Sequence, residues 1–411
     1  MNALLDRFCR YVRIETTSVE QTDAYPSCLG QREFAAMLAD ELRALKVDNV
    51  SVDEHGIVMG TIPGTTTGAP TIAWLSHMDT SPEAPGKDIR PNVIRDYDGN
   101  DIVLPGDATK VIRVGETKGL ADLKGKTLIT TDGTTLLGAD DKAGVAVIVT
   151  AAEQLMARPD LPHGPIRIVF TCDEEVGRGT DKIEIRKINA TCAYTLDGEG
   201  AGAIENETFS ADLATVTVTG HNIHPGLAKG RMINAIRLAG ELLSRLPRLR
   251  LSPESTSDRD GFLHPYGIEG GVGEAKVRIL LRSFVTAELA EQAALLRTLA
   301  ASVLAEQPRA RIDVEIKKQY RNMKEHLERE PRAVALAADA VRGVGLDPHF
   351  QSIRGGTDGS RLSEMGLPTP NLSVGMHNFH SPLEFACLEQ MESSVQVLLE
   401  LAKLWGQERG A

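Results

Sequence analysis

Short apolar strands alternate with helices in the first two hundred residues of this chain. The apolar runs lie at 71–76, 166–171 and 193–196, and helical spacing of apolar residues covers 4–12, 31–45 and 143–156. Runs without internal polar alternation are typical of strands that are buried on both faces. Their alternation with helices predicts an α/β fold, with a mixed, largely parallel sheet flanked by helices.

The pattern changes near residue 211, where apolar and polar residues alternate strictly. From there to residue 321 the order is β-α-β-β-α-β, with strands at 214–219, near Gly267, at 276–281 and at 312–316, and helices at 233–246 and 287–305. This order suits a small domain with a one-sided antiparallel sheet. The first pattern returns after residue 331, with a helix at 332–342 and an apolar stretch at 368–374. We therefore predict a discontinuous domain, 1–210 plus 322–411, that carries an inserted α+β domain at 211–321.

Composition argues against several classes of partner. The 411 residues include 45 basic and 57 acidic side chains, so the net charge is −12, and only 4% are aromatic. Such a chain is a poor binder of nucleic acids and of anionic membranes. No apolar run reaches membrane length, and the first residues predict the start of a helix and not a signal peptide. Five scattered cysteines without a C-x-x-C pair indicate reduced thiols, so we predict a cytoplasmic protein.

Histidine and acidic residues follow the predicted strands. His77 and Asp79 come after 71–76, acidic residues 173–175 after 166–171, and Asp197 after 193–196. In α/β folds, ligands bind at the carboxyl ends of the strands. Each motif alone also fits a turn, a helix cap or a solvated acidic loop.

Taken together, two histidines and three carboxylates form a candidate metal-ligand set. The set consists of His77, Asp140, Glu175, Asp197 and His380. Mixed nitrogen and oxygen ligation suits Zn²⁺, with Co²⁺ or Mn²⁺ as alternatives. Because five ligands exceed what one catalytic zinc uses, the set suits two ions that share a bridging carboxylate.

Sequence motifs along the whole chain carry a family resemblance. They are Ser76–Pro82, Thr130–Gly133, Leu136–Gly144, Asp173–Gly177, His224–Gly226, Ile353–Gly359 and Asn378–His380. In this order they resemble the tripeptide aminopeptidases of the M20 family of dinuclear-zinc metallopeptidases. The resemblance implies a zinc-peptidase-like fold in which the inserted domain, 211–321, is a lid.

The resemblance also implies roles for the ligand set. His77 and Asp197 would hold one Zn²⁺, Glu175 and His380 would hold the other, and Asp140 would bridge both. The peptide bond that follows Asp140 would be cis.

Catalytic and substrate-binding roles follow from the same resemblance. Asp79 would orient the first histidine ligand, and Glu174 would act as general base toward a water activated by the two zinc ions. His224 would polarise the scissile carbonyl. Arg282 and Arg354 are candidates for the peptide's C-terminal carboxylate, supported by Asn234.

The expected activity is removal of the N-terminal residue from tripeptides, with short peptides as partners and a homodimer formed through the lid. The alternatives are a dipeptidase or an N-acyl amino acid deacylase on the same scaffold, or a non-catalytic peptide-binding protein. Retention of both Asp79 and Glu174 argues against the last, because binding alone needs no positioned base.

Overall fold

The computed structural model describes residues 2–409, which divide into two compact units. The first unit runs to Asn206 and includes Glu325–Gln351 and the chain from Thr357 onward, and the second comprises Glu207–Lys324 and Ser352–Gly356. The insertion predicted at 211–321 lies inside the second unit. Ser352–Gly356, predicted as part of the surrounding domain, also belongs to the second unit.

The helices and strands are numbered in chain order. The helices are α1 (Ala3–Tyr11), α2 (Leu29–Ala44), α3 (Ala139–Ala157), α4 (Ile185–Ile188), α5 (Ala235–Arg245), α6 (Glu288–Glu306), α7 (Lys324–Leu327), α8 (Arg332–Gly343), α9 (Asp358–Glu364) and α10 (Leu388–Gln407). The strands are β1 (Asp48–Val52), β2 (Val58–Ile62), β3 (Ile72–His77), β4 (Asn92–Ile94), β5 (Ile102–Val103), β6 (Val111–Ile112), β7 (Leu128–Thr130), β8 (Ile166–Thr171), β9 (Cys192–Glu199), β10 (Ala203–Thr208), β11 (Ser210–Thr219), β12 (Phe262–Gly270), β13 (Glu274–Ser283), β14 (Arg311–Tyr320), β15 (His349–Ile353), β16 (Asn371–His377) and β17 (Phe385–Cys387).

The first unit is built around a mixed sheet with the order β1-β2-β8-β3-β9-β16-β17-β7-β4. Its four central strands, β8, β3, β9 and β16, are parallel to one another, and the outer strands pair antiparallel. Every residue of β3 and β16 is buried, as expected for strands covered on both faces. The predicted α/β class is confirmed.

Helix α3 is buried along most of its length. It contacts β3, β9 and β16 on one side and helices α1 and α10 on the other. Small and apolar residues all around the helix make this double contact possible, since a helix that is apolar on every side belongs in a core. Even so, among residues 2–409 no helix combines the length and apolarity that crossing a membrane requires.

The second unit contains an antiparallel sheet in the order β12-β13-β11-β14. Residues of β11 alternate between buried and partly exposed positions, because one face packs on helices α5 and α6. The β-α-β-β-α-β order expected for this section is the order observed.

A buried carboxylate stabilises the second unit. Glu207 is 7% exposed and accepts two hydrogen bonds from Arg259, at 2.6 and 2.8 Å. These bonds, with one from Ser352, outweigh burial and lower the pKa of Glu207 to about 2 from an ordinary value of 4.5. A carboxyl whose folded pKa is depressed stabilises the fold above its unfolded pKa, and this contribution is lost as pH falls.

We expect Glu207→Gln to lower the free energy of unfolding by about 2 kcal/mol at pH 7, because charged hydrogen bonds are lost. The deficit should shrink as pH falls from about 4.5 toward 2, where wild-type Glu207 becomes protonated too. Urea unfolding at pH 7 and pH 3 measures this, with the exposed Glu315→Gln on β14 as control. An equal deficit at both pH values would contradict it.

Candidate metal centre

Two histidines meet on one carboxylate in the first unit. Oδ1 of Asp140 lies 2.9 Å from Nε2 of His77, and Oδ2 lies 3.2 Å from Nε2 of His380. Asp197 Oδ1 lies 3.6 Å from the same His77 nitrogen, and Glu175 Oε2 lies 2.8 Å from the His380 nitrogen. The structure thus brings all five predicted ligands together, in two groups that share Asp140. Their role as ligands stays a prediction.

The parallel strands place these side chains. His77 ends β3, Asp197 lies in β9, and Glu175 and His380 follow β8 and β16. These four strands are neighbours and point the same way, so their carboxyl ends form one edge of the sheet. Asp140 is added at this edge by the N-terminal end of α3.

The ring nitrogens of His77 show which kind of group this centre can bind. Nδ1 of His77 lies 3.1 Å from the carbonyl oxygen of Asp79, which can only accept a hydrogen bond. Nδ1 therefore donates, and Nε2 of His77 faces carboxylate oxygens, which cannot donate when ionised. A proton or a metal ion must lie between these atoms.

The crowding of the buried carboxylates also favours a bound cation. Oε1 of Glu175 is buried and has no hydrogen-bond partner among residues 2–409. Burial and the charge of Asp140 raise the pKa of Glu175 to about 8 and that of Asp197 to about 7. Burial opposes protonation of His380, but its hydrogen bonds to two of these carboxylates raise its pKa to about 11. An unpartnered buried oxygen among crowded acids fits a divalent cation.

Asp141 offers a competing set of ligand atoms, since atoms of His77, Asp141 and Asp197 lie within 4.8 Å of one another. However, the Asp141 carboxylate accepts hydrogen bonds from the Ser76 hydroxyl at 2.5 Å, the His77 N–H at 3.3 Å and the Gly144 N–H at 3.1 Å. Because these bonds use both of its oxygens, we assign Asp141 to holding β3 against α3. The Asp140–Asp141 peptide bond is cis, as the resemblance implies.

Asp79 joins the first histidine to the acidic turn after β8. It is fully buried, and its Oδ1 lies 3.4 Å from Nδ1 of His77. Its two oxygens accept the backbone N–H groups of Glu174 and Glu175, both at 3.1 Å. Burial, together with neighbouring negative charges that include Asp358, raises the pKa of Glu174 well above its usual range.

The third acid of that turn, Asp173, points elsewhere. Its backbone has a φ of 60°, in the left-handed region. Its carboxylate accepts the Ser27 N–H at 2.8 Å and the Gln31 side-chain amide at 2.7 Å. The hydrogen bonds of the Asp173 carboxylate therefore lie outside the predicted ligand set.

Sequence reasoning missed the groups that hold the carboxylates in place. Oδ1 of Asn371, on β16, accepts the backbone N–H of Asp197 at 3.0 Å. The sequence does contain a signal for Asn371, since a side-chain amide in an otherwise apolar strand needs a hydrogen-bond partner. The same holds for every carboxylate residue of the ligand set, because each donates its backbone N–H to a side-chain oxygen. Asp197 donates to Asn371, Glu175 to Asp79 and Asp140 to Glu384.

The predicted substrate-binding residues lie in the second unit. His224 is exposed in a loop, and its Nδ1 accepts the Gly226 N–H at 3.2 Å. Asn234 is the N-cap of α5, and its Oδ1 accepts two backbone N–H groups of the first turn. This capping role is one that the sequence reasoning did not assign.

Both predicted arginines have partners inside the second unit. Arg282 donates to the Gln319 side chain at 2.9 Å and lies over the Tyr320 ring. Arg354 donates to the carbonyls of Asp258 and Asp260, at 2.8 and 2.9 Å. In this structure Arg354 therefore holds a loop of its own unit, and its role toward a substrate stays a prediction.

Gly356, two residues after Arg354, packs against an aromatic ring. A Cβ at Gly356 would collide with the Tyr320 ring where the structure places it. The backbone at Gly356 therefore closely approaches an aromatic side chain.

Comparison with known proteins places the chain. The model of "Peptidase family M20/M25/M40" matches residues 129–404, more than half of the chain. The chain belongs to this family. As a member of M20/M25/M40 it is a peptidase, so the resemblance and the enzyme class predicted from its motifs are confirmed.

Individual members of M20/M25/M40 resemble this chain over nearly its full length. It is 43% identical over 406 residues to Peptidase T of Geobacillus thermodenitrificans, with 98% of each chain covered. Aminopeptidase PepT from Bacillus cereus shares the fold with a TM-score of 0.75, 24% identity and 98% coverage of both chains. A tripeptidase from Staphylococcus aureus has a TM-score of 0.77 and 23% identity, covering 99% of this chain and 98% of that one.

Proposed function

We propose that this peptidase removes the N-terminal residue from tripeptides with two Zn²⁺ ions bound. The observation that carries the proposal is the Asp140 carboxylate shared by two histidines. The 43% identity to Peptidase T over nearly the whole chain supports the same activity.

The five predicted ligands would divide between the two ions in the same way as their contacts with one another divide in the structure. His77 and Asp197 would hold one ion, Glu175 and His380 the other, and Asp140 both. Bound there, the ions would supply Lewis-acid activation of a water and of the peptide carbonyl. The mixed nitrogen and oxygen donors favour Zn²⁺, with Co²⁺ or Mn²⁺ as alternatives.

The chain's own residues would prepare this centre. Asp79 fixes the His77 ring with Nδ1 protonated, which leaves Nε2 free for an ion. Glu174 keeps its carboxyl out of the ligand contacts, and its raised pKa makes it a good acceptor of a proton. It would take a proton from the attacking water and deliver it to the leaving amine.

The second unit would act as the lid and bind the rest of the peptide. Its guanidinium groups, Arg282 and Arg354, suit a carboxylate because they can donate two parallel hydrogen bonds. A clamp on the peptide's C-terminal carboxylate would favour short peptides over proteins. His224 would polarise the scissile carbonyl, with Asn234 in support.

We expect the zinc-loaded enzyme to cleave a free tripeptide faster than its N-acetylated form and faster than the matching dipeptide. Acetylation removes the charge of the N-terminal amine, and a site built to pair with a charged group rejects analogues that lack it. The dipeptide keeps both charged ends and therefore tests the preference for peptide length. Chromatography of the products at equal substrate concentrations gives the three rates.

The other outcomes separate the alternatives. Faster cleavage of the acetylated peptide would favour an N-acyl amino acid deacylase, and faster cleavage of the dipeptide would favour a dipeptidase. No cleavage of any peptide by a protein that holds both ions would favour a binding protein.

We further propose a cytoplasmic homodimer that forms through the second unit. The five cysteines are all free thiols, which suits a reducing compartment. Strand β12 is an edge of the second sheet and exposes Tyr266 and Ile268, at 45% and 55%. Exposed apolar residues on an unpaired edge are suited to pairing with a second copy.

Sedimentation equilibrium should give twice the mass of one chain. Ile268→Lys should shift the mass toward one chain, because the charge would be buried on pairing. Val103→Lys, at an exposed site of the first unit, is the control and should leave the mass unchanged. A single-chain mass for the wild type would contradict the dimer.

A further inference from the structure

The segment that leads into the regular part of helix α3 has an irregular backbone. Asp140 and Asp141 have non-helical φ and ψ, and the Asp141 carboxylate caps the regular helix after them by accepting the Gly144 N–H at 3.1 Å. Residues 137, 138 and 140 lie before that helix and are buried, so their backbone N–H groups need partners from elsewhere in the chain. Whatever satisfies this segment also fixes the backbone of Asp140.

Glu384 satisfies it from far along the chain. Its Oε2 accepts the N–H groups of Leu137 and Gly138, at 2.7 and 2.8 Å, and its Oε1 accepts the Asp140 N–H at 3.0 Å. Glu384 is only 1% exposed, a position that costs free energy for a carboxylate unless it is fully hydrogen-bonded.

The same short turn carries His380. Within it the Glu384 N–H donates to the Ser381 carbonyl at 3.1 Å, and the Ser381 hydroxyl donates to the Asn378 carbonyl at 2.9 Å. The turn therefore holds Glu384 and His380 at a fixed separation. Through it, the position of the Asp140 backbone is tied to the position of the second histidine.

We propose that Glu384 is a positioning residue that sets the distance between Asp140 and His380 and so tunes the second metal site. The inference rests on the proposed metal centre, but on no particular peptide substrate. Glu384 contacts neither histidine in the set, and it acts through the backbone of residues 137–140.

Glu384→Gln tests this because it keeps the size of the side chain and replaces one acceptor oxygen with an NH₂ group facing N–H donors. Titration of the metal-free protein with Zn²⁺ alone should show the second site, that of Glu175 and His380, losing about 10–100-fold in affinity, the range for outer-shell changes. The absorption spectrum of the Co²⁺-loaded protein should change as well, since it reports ligand geometry.

Glu389→Gln is the matched control. Glu389 likewise accepts a backbone N–H, that of Thr127, at 3.0 and 2.9 Å, and contacts none of the candidate ligands. Its substitution should leave both affinities and the Co²⁺ spectrum unchanged. Equal effects of the two substitutions would overturn the proposal, because the change would then reflect stability alone.

A second variant covers loss of folding. If Glu384→Gln does not fold, Glu384→Asp keeps the charge on a shorter side chain and should weaken the second site while the first keeps its affinity. Wild-type affinity and spectrum in the folded variant would overturn the proposal. Wild-type protein that binds two ions but cleaves no tripeptide would overturn the proposed activity and leave this inference standing.

Discussion

Glu174→Gln should lower kcat by about 10²–10⁴-fold while both metal ions stay bound, the range expected for loss of a general base. A neutral amide cannot accept the proton that the carboxylate takes, yet it has nearly the same size. Glu174 is held by its backbone N–H on Asp79, a bond that glutamine keeps. The measurements are kcat on a tripeptide and metal content by mass spectrometry.

The adjacent acid is the control for this substitution. Glu175 lies 2.8 Å from His380 and is a predicted ligand, so Glu175→Gln should lose metal together with activity. If Glu174→Gln instead loses a stoichiometric amount of metal, the division between base and ligand proposed for this pair is wrong.

Asp140→Asn should abolish measurable turnover and weaken metal binding by more than about 100-fold, the upper loss caused by outer-shell changes. The carboxylate faces both histidines, so one substitution removes charge from both proposed ions. Zinc content after dialysis against a weak chelator checks the affinity, and peptide turnover checks the rate.

The neighbouring Asp141 decides between the two groupings of ligand atoms. Its oxygens accept hydrogen bonds from Ser76, His77 and Gly144, so Asp141→Asn should lower the melting temperature more than it lowers metal content. Loss of metal from the Asp141 variant, with retention by the Asp140 variant, would mean that Asp141 is the ligand.

The architecture was largely predictable because periodicity and burial agree. The run 166–171 is the strand β8 to the residue, and the strand expected near Gly267 is β12. Strand ends then predicted which side chains would meet, since neighbouring parallel strands end at one edge. Nothing local in the sequence says that 352–356 belongs with the second unit, because that depends on contacts such as those of Arg354 with the 258–260 backbone.

The groups that orient the centre were less predictable. Glu384 and Asn371 accept backbone N–H groups from distant parts of the chain. Because nearly every residue type has a backbone N–H, the sequence does not indicate which residues donate these hydrogen bonds. The direction of the Asp173 side chain was not predictable either, because its carboxylate bonds Ser27 and Gln31, which lie far away in the sequence.

The order of the strands has a consequence for synthesis of the protein. Strand β9 is paired in parallel with β16, yet the whole segment from β11 to β14 is made between them. A nascent chain on the ribosome therefore carries β9 with one edge unpaired. This edge can form non-native strand pairs until β16 emerges. His380 emerges later still, so the proposed centre stays incomplete until β16 and the turn after it have been made.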